Sequence, residues 1–241
     1  MMVQTKAKIF LADERGLNET TWFCSRNTFN FGKYQQEHKQ PFGDMYVLND
    51  DTLDGGRSLS MLVEERSYII LLPVAGAIAY KDSPGNENLI AAGQVQLLIL
   101  EKGDTMQITN PFKEELVNFL QIWIKADTNT KIEQPSLSTY DVNEYINSLV
   151  QVSPKSVGRL SLPFSISIGK FFGRGETVYH PKNNNAGLFV FVLEGAFEVE
   201  GRLLHARDGL ALQQTNEIEM EALSNDAIVL TIELLLTSSP L

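Results

Sequence analysis

Between Met45 and Ile124 the chain is dominated by short apolar segments, MYVLN, SYIILLPVAGAIAY, NLIAAG, VQLLIL, DTMQIT and VNFLQIWI, punctuated by Gly, Asp, Asn and Pro. They are too short for packed helices and rich in β-branched residues, which suits strands. DSPGNEN at Asp82–Asn88 carries Pro-Gly and Gly-Asn and reverses the chain between two strands, and EKGD at Glu101–Asp104 supplies a second Gly-centred turn. Strands at this spacing predict a sandwich or barrel, in which closure hides the sheet edges.

The second half repeats the first in kind, with SISIGKFF, GLFVFVLEG, AFEVEG, RLLHARDG and AIVLTIEL. In AFEVEG, Phe197 and Val199 alternate with Glu198 and Glu200 before Gly201 turns the chain, and EIEMEAL (Glu217–Leu223) has the alternation of a strand with one wet face. GAIAYKDSPGNENLIAAGQVQLL and GAFEVEGRLLHARDGLALQ share the order glycine, strand, turn, strand, glycine, so one hairpin is used twice. The stretch from Lys125 to Leu160 is polar. Within STYDVNEYINSLVQ, Val142, Tyr145, Ile146 and Leu149 recur at helical spacing and Ser138 or Asp141 can cap, so a short helix is expected there. The expected fold is all-β: two tandem jelly-roll barrels, residues 1–130 and 161–241, joined by a linker over 131–160 that carries the short helix.

An apolar fraction of 43% over 241 residues supports one large core or two of about 110 residues each. Thirty acidic against twenty basic residues give a net charge of -10 without a basic cluster, which disfavours nucleic acid. The N-terminal MMVQTKAKIFLADERG lacks a signal-peptide core, and no apolar run approaches the roughly 20 residues needed to span a bilayer. The single Cys24 cannot form an intrachain disulfide and reads as a small buried hydrophobe. A cytoplasmic protein is expected.

Gly56–Gly76 and Gly93–Asn110 have the strand and turn pattern of a cavity-forming barrel and contain no histidine. The three histidines, His38, His180 and His205, are scattered without a carboxylate pattern and read as surface or structural residues. GKFFGRGE lacks the terminal Lys-Ser/Thr of a phosphate loop, and DDTLDGGRS lacks calcium-loop spacing.

The segments ADERG (Ala12–Gly16), NTFNFGKY (Asn27–Tyr34), FGDMYVLNDD (Phe42–Asp51), KDSPGNEN and LQIWI (Leu120–Ile124) resemble the pirin family of bicupins, and DGLALQ with EIEMEALSNDAIVLTIEL is similar to that family's C-terminal module. The resemblance implies an N-terminal cupin in which three histidines and a glutamate hold a metal, usually iron; some members show quercetin dioxygenase activity and some act as transcriptional cofactors. A count without gaps puts the first two histidine positions on Leu62 and Glu64, the third on Met106, and the glutamate on Ile108, with Tyr68 in place of an acidic residue. Hydrocarbon side chains offer no lone pair and a thioether is a poor match for ferrous iron, so no metal, no other cofactor and no catalytic residue is expected.

By strand alternation Leu62, Glu64, Met106 and Ile108 are expected to line the former metal cavity, with Tyr68 and Tyr80 near it. Glu64 then reads either as a polar anchor or remnant base, or as a solvent-facing glutamate in a register shifted by one; its neighbours Glu65 and Arg66 make an internal ion pair equally easy. The function expected is a metal-free, non-catalytic binding protein for a small aromatic ligand or a partner protein. The alternative is a quercetinase-type dioxygenase with altered ligands.

Overall fold

A computed structural model describes residues 6–32, 34–127, 135–154, 156–157, 160–183 and 185–236. Strand β1 (Lys6–Phe10) is followed by β2 (Gly16–Glu19), β3 (Phe23–Asn27), β4 (Met45–Leu53), β5 (Ser58–Leu62), β6 (Ser67–Ala75), β7 (Ala77–Asp82) and β8 (Glu87–Ala91). Next come β9 (Gln94–Leu100), β10 (Thr105–Thr109), β11 (Val117–Lys125), β12 (Ser136–Thr139), β13 (Val150–Gln151), β14 (Ser156–Val157) and β15 (Leu160–Ser161). The last are β16 (Phe164–Phe171), β17 (Glu176–Tyr179), β18 (Ala186–Glu194), β19 (Ala196–Val199), β20 (Arg202–His205), β21 (Gly209–Gln213), β22 (Ile218–Ala222) and β23 (Ala227–Leu235).

Apart from the separate β14-β15 pair, these strands form two antiparallel sandwiches, each a large sheet packed on a small one. The first pairs the sheet β12-β9-β6-β11-β4-β3-β2 with β5-β10-β7-β8; the second pairs β1-β21-β18-β23-β16-β13 with β17-β22-β19-β20. The N-terminal strand therefore belongs to the second module, through Lys6–Gln213 to Phe10–Gly209 pairing, although it precedes the first in sequence. The connecting segment gives a strand to each module, β12 beside β9 and β13 beside β16.

The two large sheets pack against each other, and this explains why their central strands read as nearly unbroken apolar runs. In β18, Leu188, Val190 and Val192 point into their own sandwich with Phe171 and Phe197, whereas Phe189, Phe191 and Leu193 point at the other module. Phe189 there meets Phe10 and Phe29 at ring-centroid distances of 5.5 and 5.7 Å, and Phe10 meets Phe29 edge-on at 5.4 Å. The small sheets are wet on one side: in β22 Ile218, Met220 and Ala222 are buried while Glu219 is exposed and Glu221 is half-buried.

Turn chemistry follows the residues. Asp82 accepts from the Asn86 N–H at 2.7 Å and from Asn86 Nδ2 at 2.9 Å while Gly85 takes φ 97°, closing β7 onto β8. Glu200 and Gly201 both lie at positive φ, 50° and 69°, as a two-residue hairpin turn requires between Val199 and Arg202.

The helix expected within 138–149 does not form. Ser138 pairs with Val95 in β12, Asp141 accepts from the Asn143 N–H at 2.8 Å, and Asn147 sits at φ 60°. The segment runs from one sheet to the other, and its apolar residues serve different cores: Val142 packs on the cluster between the modules and Leu149 on the second sandwich. Strand pairing at each end takes the backbone groups that a helix would use. Among the described residues the one helical turn is Ala12–Glu14, and no helix is long and apolar enough to cross a membrane.

Candidate functional site

The interior of the first sandwich is set by the pairing of β5 with β10, in which Met61 faces Met106 and Leu59 faces Ile108. Val63 extends this row: its N–H donates to the Asp104 carbonyl and its carbonyl accepts the Gly103 N–H, both at 2.9 Å. With Val63 fixed inward, strand parity sends Leu59 and Met61 in and Ser60, Leu62 and Glu64 out. Leu62 is 58% exposed and Glu64 lies at the surface, so neither lines the cavity expected of them. The register differs by one from the gap-free count. Glu64 does not close an ion pair with Arg66, which instead holds Glu101 at 2.7 Å, while Glu65 pairs with Lys125 at 2.9 Å.

Met106, Ile108 and Tyr80 do meet inside the sandwich, in one cluster with Ile78, Ile90 and Trp123. Tyr80 stands across from Ile108, and its hydroxyl donates to Asp82. Burial, then that hydrogen bond, holds the phenol far above its ordinary pKa, so it remains a donor. Tyr68 lies on the other face of β6: it packs edge-on against Phe164 at 5.2 Å in the cluster between the modules.

Sequence reasoning missed a polar layer opposite this apolar wall. Asn49 and Asp51 lie between Val47 and Leu53 on the inward face of β4, and Gln121 lies between Phe119 and Trp123 on the inward face of β11. Asn27 Nδ2 donates to Asn49 Oδ1 at 3.2 Å and to Ser25 Oγ at 3.3 Å, Trp123 Nε1 donates to Gln121 Oε1 at 3.3 Å, and Gln121 Nε2 donates to Asp51. Asp51 is fully buried. Desolvation pushes its carboxyl up to about 7, aided by nearby Asp50 and opposed by Ser25 and Gln121. The signal for this layer was present in the period-2 pattern of VLNDDTL and VNFLQIW.

The inward set of Leu59, Met61, Met106 and Ile108 does not suit a metal of the kind the resemblance implied. It supplies two thioethers and no nitrogen or carboxylate, and Asp82 nearby is occupied by Tyr80 and Asn86. Among the described residues no group of three or more His, Cys, Asp and Glu is placed to hold a metal ion. His38, His180 and His205 are all exposed. Cys24 is half-buried, and burial raises its thiol pKa.

Two tandem antiparallel sandwiches with this hairpin repeat make the molecule a bicupin. The pirin family model matches residues 11–124, and the model described as a quercetinase C-terminal cupin domain matches residues 165–234; the chain belongs to the pirin family. A quercetin 2,3-dioxygenase of Escherichia coli K12 is 24% identical over 220 residues, covering 91% of this chain and 95% of that protein. A putative quercetin 2,3-dioxygenase of Pseudomonas aeruginosa is 23% identical over 222 residues, covering 90% and 95%. Among solved structures, the bacterial pirin YhhW of Escherichia coli in complex with nickel(II) superposes with a TM-score of 0.85 at 21% identity, covering 96% of this chain and 100% of that one. At such identity the likeness establishes the fold.

Proposed function

We propose that this chain is a metal-free bicupin that binds a small organic ligand or a partner protein and does not catalyse metal-dependent ring opening. The observation that supports this reading is the inward quartet Leu59, Met61, Met106 and Ile108, where donor atoms would have to converge on an ion. A binding role asks less of the site than a dioxygenase does: shape and a few polar groups suffice, without an open metal coordination position. A cytoplasmic location belongs to the same reading, since the lone Cys24 can close no intrachain disulfide, and the net charge of -10 argues against a nucleic-acid partner.

The other reading, a quercetinase-type dioxygenase with altered ligands, draws on the names of the relatives at 21–24% identity. Metal analysis of tag-free protein separates the two. Substoichiometric metal, with no quercetin turnover after addition of ferrous or nickel salt, is the expected result. Stoichiometric metal that survives dialysis, or turnover that depends on it, would overturn the proposal.

A further inference from the structure

The apolar core between the two modules opens into a cavity of about 260 Å³. Its floor combines Leu72 and Val74 of β6 with Ile168 of β16, Leu193 of β18 and Ile228 of β23, so both large sheets contribute. The connecting segment lies along one side, where Tyr140 and Val142 pack on the same core. Sites for small molecules favour such junctions, and this one is smaller than the ~300–1,000 Å³ of those for drug-sized ligands.

Tyr140 is the polar group of interest. Its backbone N–H donates to the Gly93 carbonyl at 2.8 Å, which fixes the residue at the end of β12. The side chain is half-buried, and among the described residues no group accepts from its hydroxyl. Desolvation alone pushes the phenol up to about 12, so at neutral pH it is a donor. A phenol that has shed water without gaining an acceptor is a group that a ligand oxygen improves.

Charge narrows the ligand further. Asp141 and Glu194 line the cavity, and among the described residues no Lys or Arg does. Lys170 reaches Asn143 Oδ1 at the rim at 3.2 Å, but Asp226 holds its ammonium at 2.9 Å. Asp141 Oδ1 is engaged by the N–H and the Nδ2 of Asn143, at 2.8 and 2.9 Å. An anion would meet repulsion here, and a bare cation would have to leave water for a hydrocarbon floor. A carbonyl supplies the missing acceptor and adds no donor that the floor would leave unpaired.

Resting on the reading of the chain as a binding protein, we propose that this cleft between the modules holds a small uncharged carbonyl compound, its oxygen on the Tyr140 hydroxyl and its hydrocarbon body against Ile168, Leu193 and Ile228. A ligand there touches both modules at once, so binding also ties them together.

Nuclear magnetic resonance titration of the methyl-labelled full chain in EDTA, with cyclohexanone, methylenecyclohexane and cyclohexanecarboxylate, tests this. The ketone is expected to shift the methyl signals of Val74, Ile168 and Ile228 saturably. The hydrocarbon of the same shape should bind about fivefold more weakly or worse, and the carboxylate should leave those signals in place. Tyr140→Phe removes only the hydroxyl and should make the ketone and the hydrocarbon equivalent. Ala92→Trp, at an exposed position on the cavity wall, should fill the space and abolish binding of both.

Methyl signals that stay still with the ketone, equal affinity for ketone and hydrocarbon in the parent, or Tyr140→Phe behaving as the parent would overturn the assignment. Metal analysis of the same sample before chelation keeps the two readings apart: stoichiometric metal defeats the metal-free reading, while ketone binding that depends on Tyr140 upholds this cleft in either case.

Discussion

Met61 and Met106 lie directly opposite one another across the antiparallel pairing of β5 and β10, with Leu59 opposite Ile108 two residues along. These four side chains share the inward face of the two strands. Replacing Leu59, Met61 and Met106 by histidine and Ile108 by glutamate should install a nickel or iron site binding about one equivalent, read by metal analysis and calorimetry. Histidines placed instead at Leu62 and Glu64 with the same changes on β10 should bind no better than the parent, because those side chains leave from the outer face. Equal metal uptake by the two quadruple variants would contradict the register.

Packing gives a second contrast on the same pair of strands. Ile108 is fully buried among Tyr80, Leu59 and Met106, so Ile108→Ala should destabilise the protein by about 2–5 kcal/mol through lost transfer energy and the cavity left behind. Leu62→Ala, at a position 58% exposed, should stay within about 0.5 kcal/mol. Urea unfolding midpoints decide both.

The two strands also show what could be read in advance. Alternation marked the wet and dry faces of Glu217–Leu223, and Gly85, Gly103 and Gly201 marked turns, because positive φ is a local demand that composition satisfies. Register is different. Whether Leu62 or Met61 points inward depends on Val63 bonding to Gly103 and Asp104, forty residues further along, and a shift of one inverts every side chain. The helix pattern at 138–149 misled for a related reason, since β9 and β16 claim its ends. The Tyr179–Glu233 hydrogen bond had no short-range signal, because its two residues come from β17 and β23.

Asp51 should make stability depend on pH. Its folded pKa of about 7 lies above the ordinary 3.8, so between these values the native state holds a proton that the unfolded chain has released. The contribution of Asp51 is therefore greatest below about pH 4 and is lost progressively as pH rises to about 7, on the order of 4 kcal/mol in all. Asp51→Asn keeps the shape and stays neutral, so it should stabilise the protein at pH 8 relative to the parent and flatten the slope of unfolding free energy between pH 5 and 8. A parent whose stability rises over that interval while the variant tracks it would show the carboxylate to be solvated.

The junction of the modules carries the last prediction. Arg15, its side chain 2% exposed, reaches Asp50 at 3.3 Å, and Arg207 of the second module reaches the other oxygen of the same carboxylate at 3.3 Å. Asn118 Nδ2 also donates to Asp50 at 2.7 Å, and Arg15 lies over the Phe191 ring at 5.6 Å. Burial lowers the Arg15 pKa while Asp50 opposes that shift, so the carboxylate is what makes the buried cation tolerable. Asp50→Ala leaves Arg15 without its counter-charge and Arg207 with less of its own, and should cost about 3–5 kcal/mol, well beyond the effect of a surface ion pair. Changing Arg15→Met, Asp50→Leu and Arg207→Met together removes every one of those charges at once and should recover most of the loss, since hydrocarbon of similar volume needs no hydration. Guanidine unfolding of the three proteins tests the idea: if Asp50→Ala matches the parent, or the triple variant is weaker than Asp50→Ala, the charges at the junction do not act as a unit.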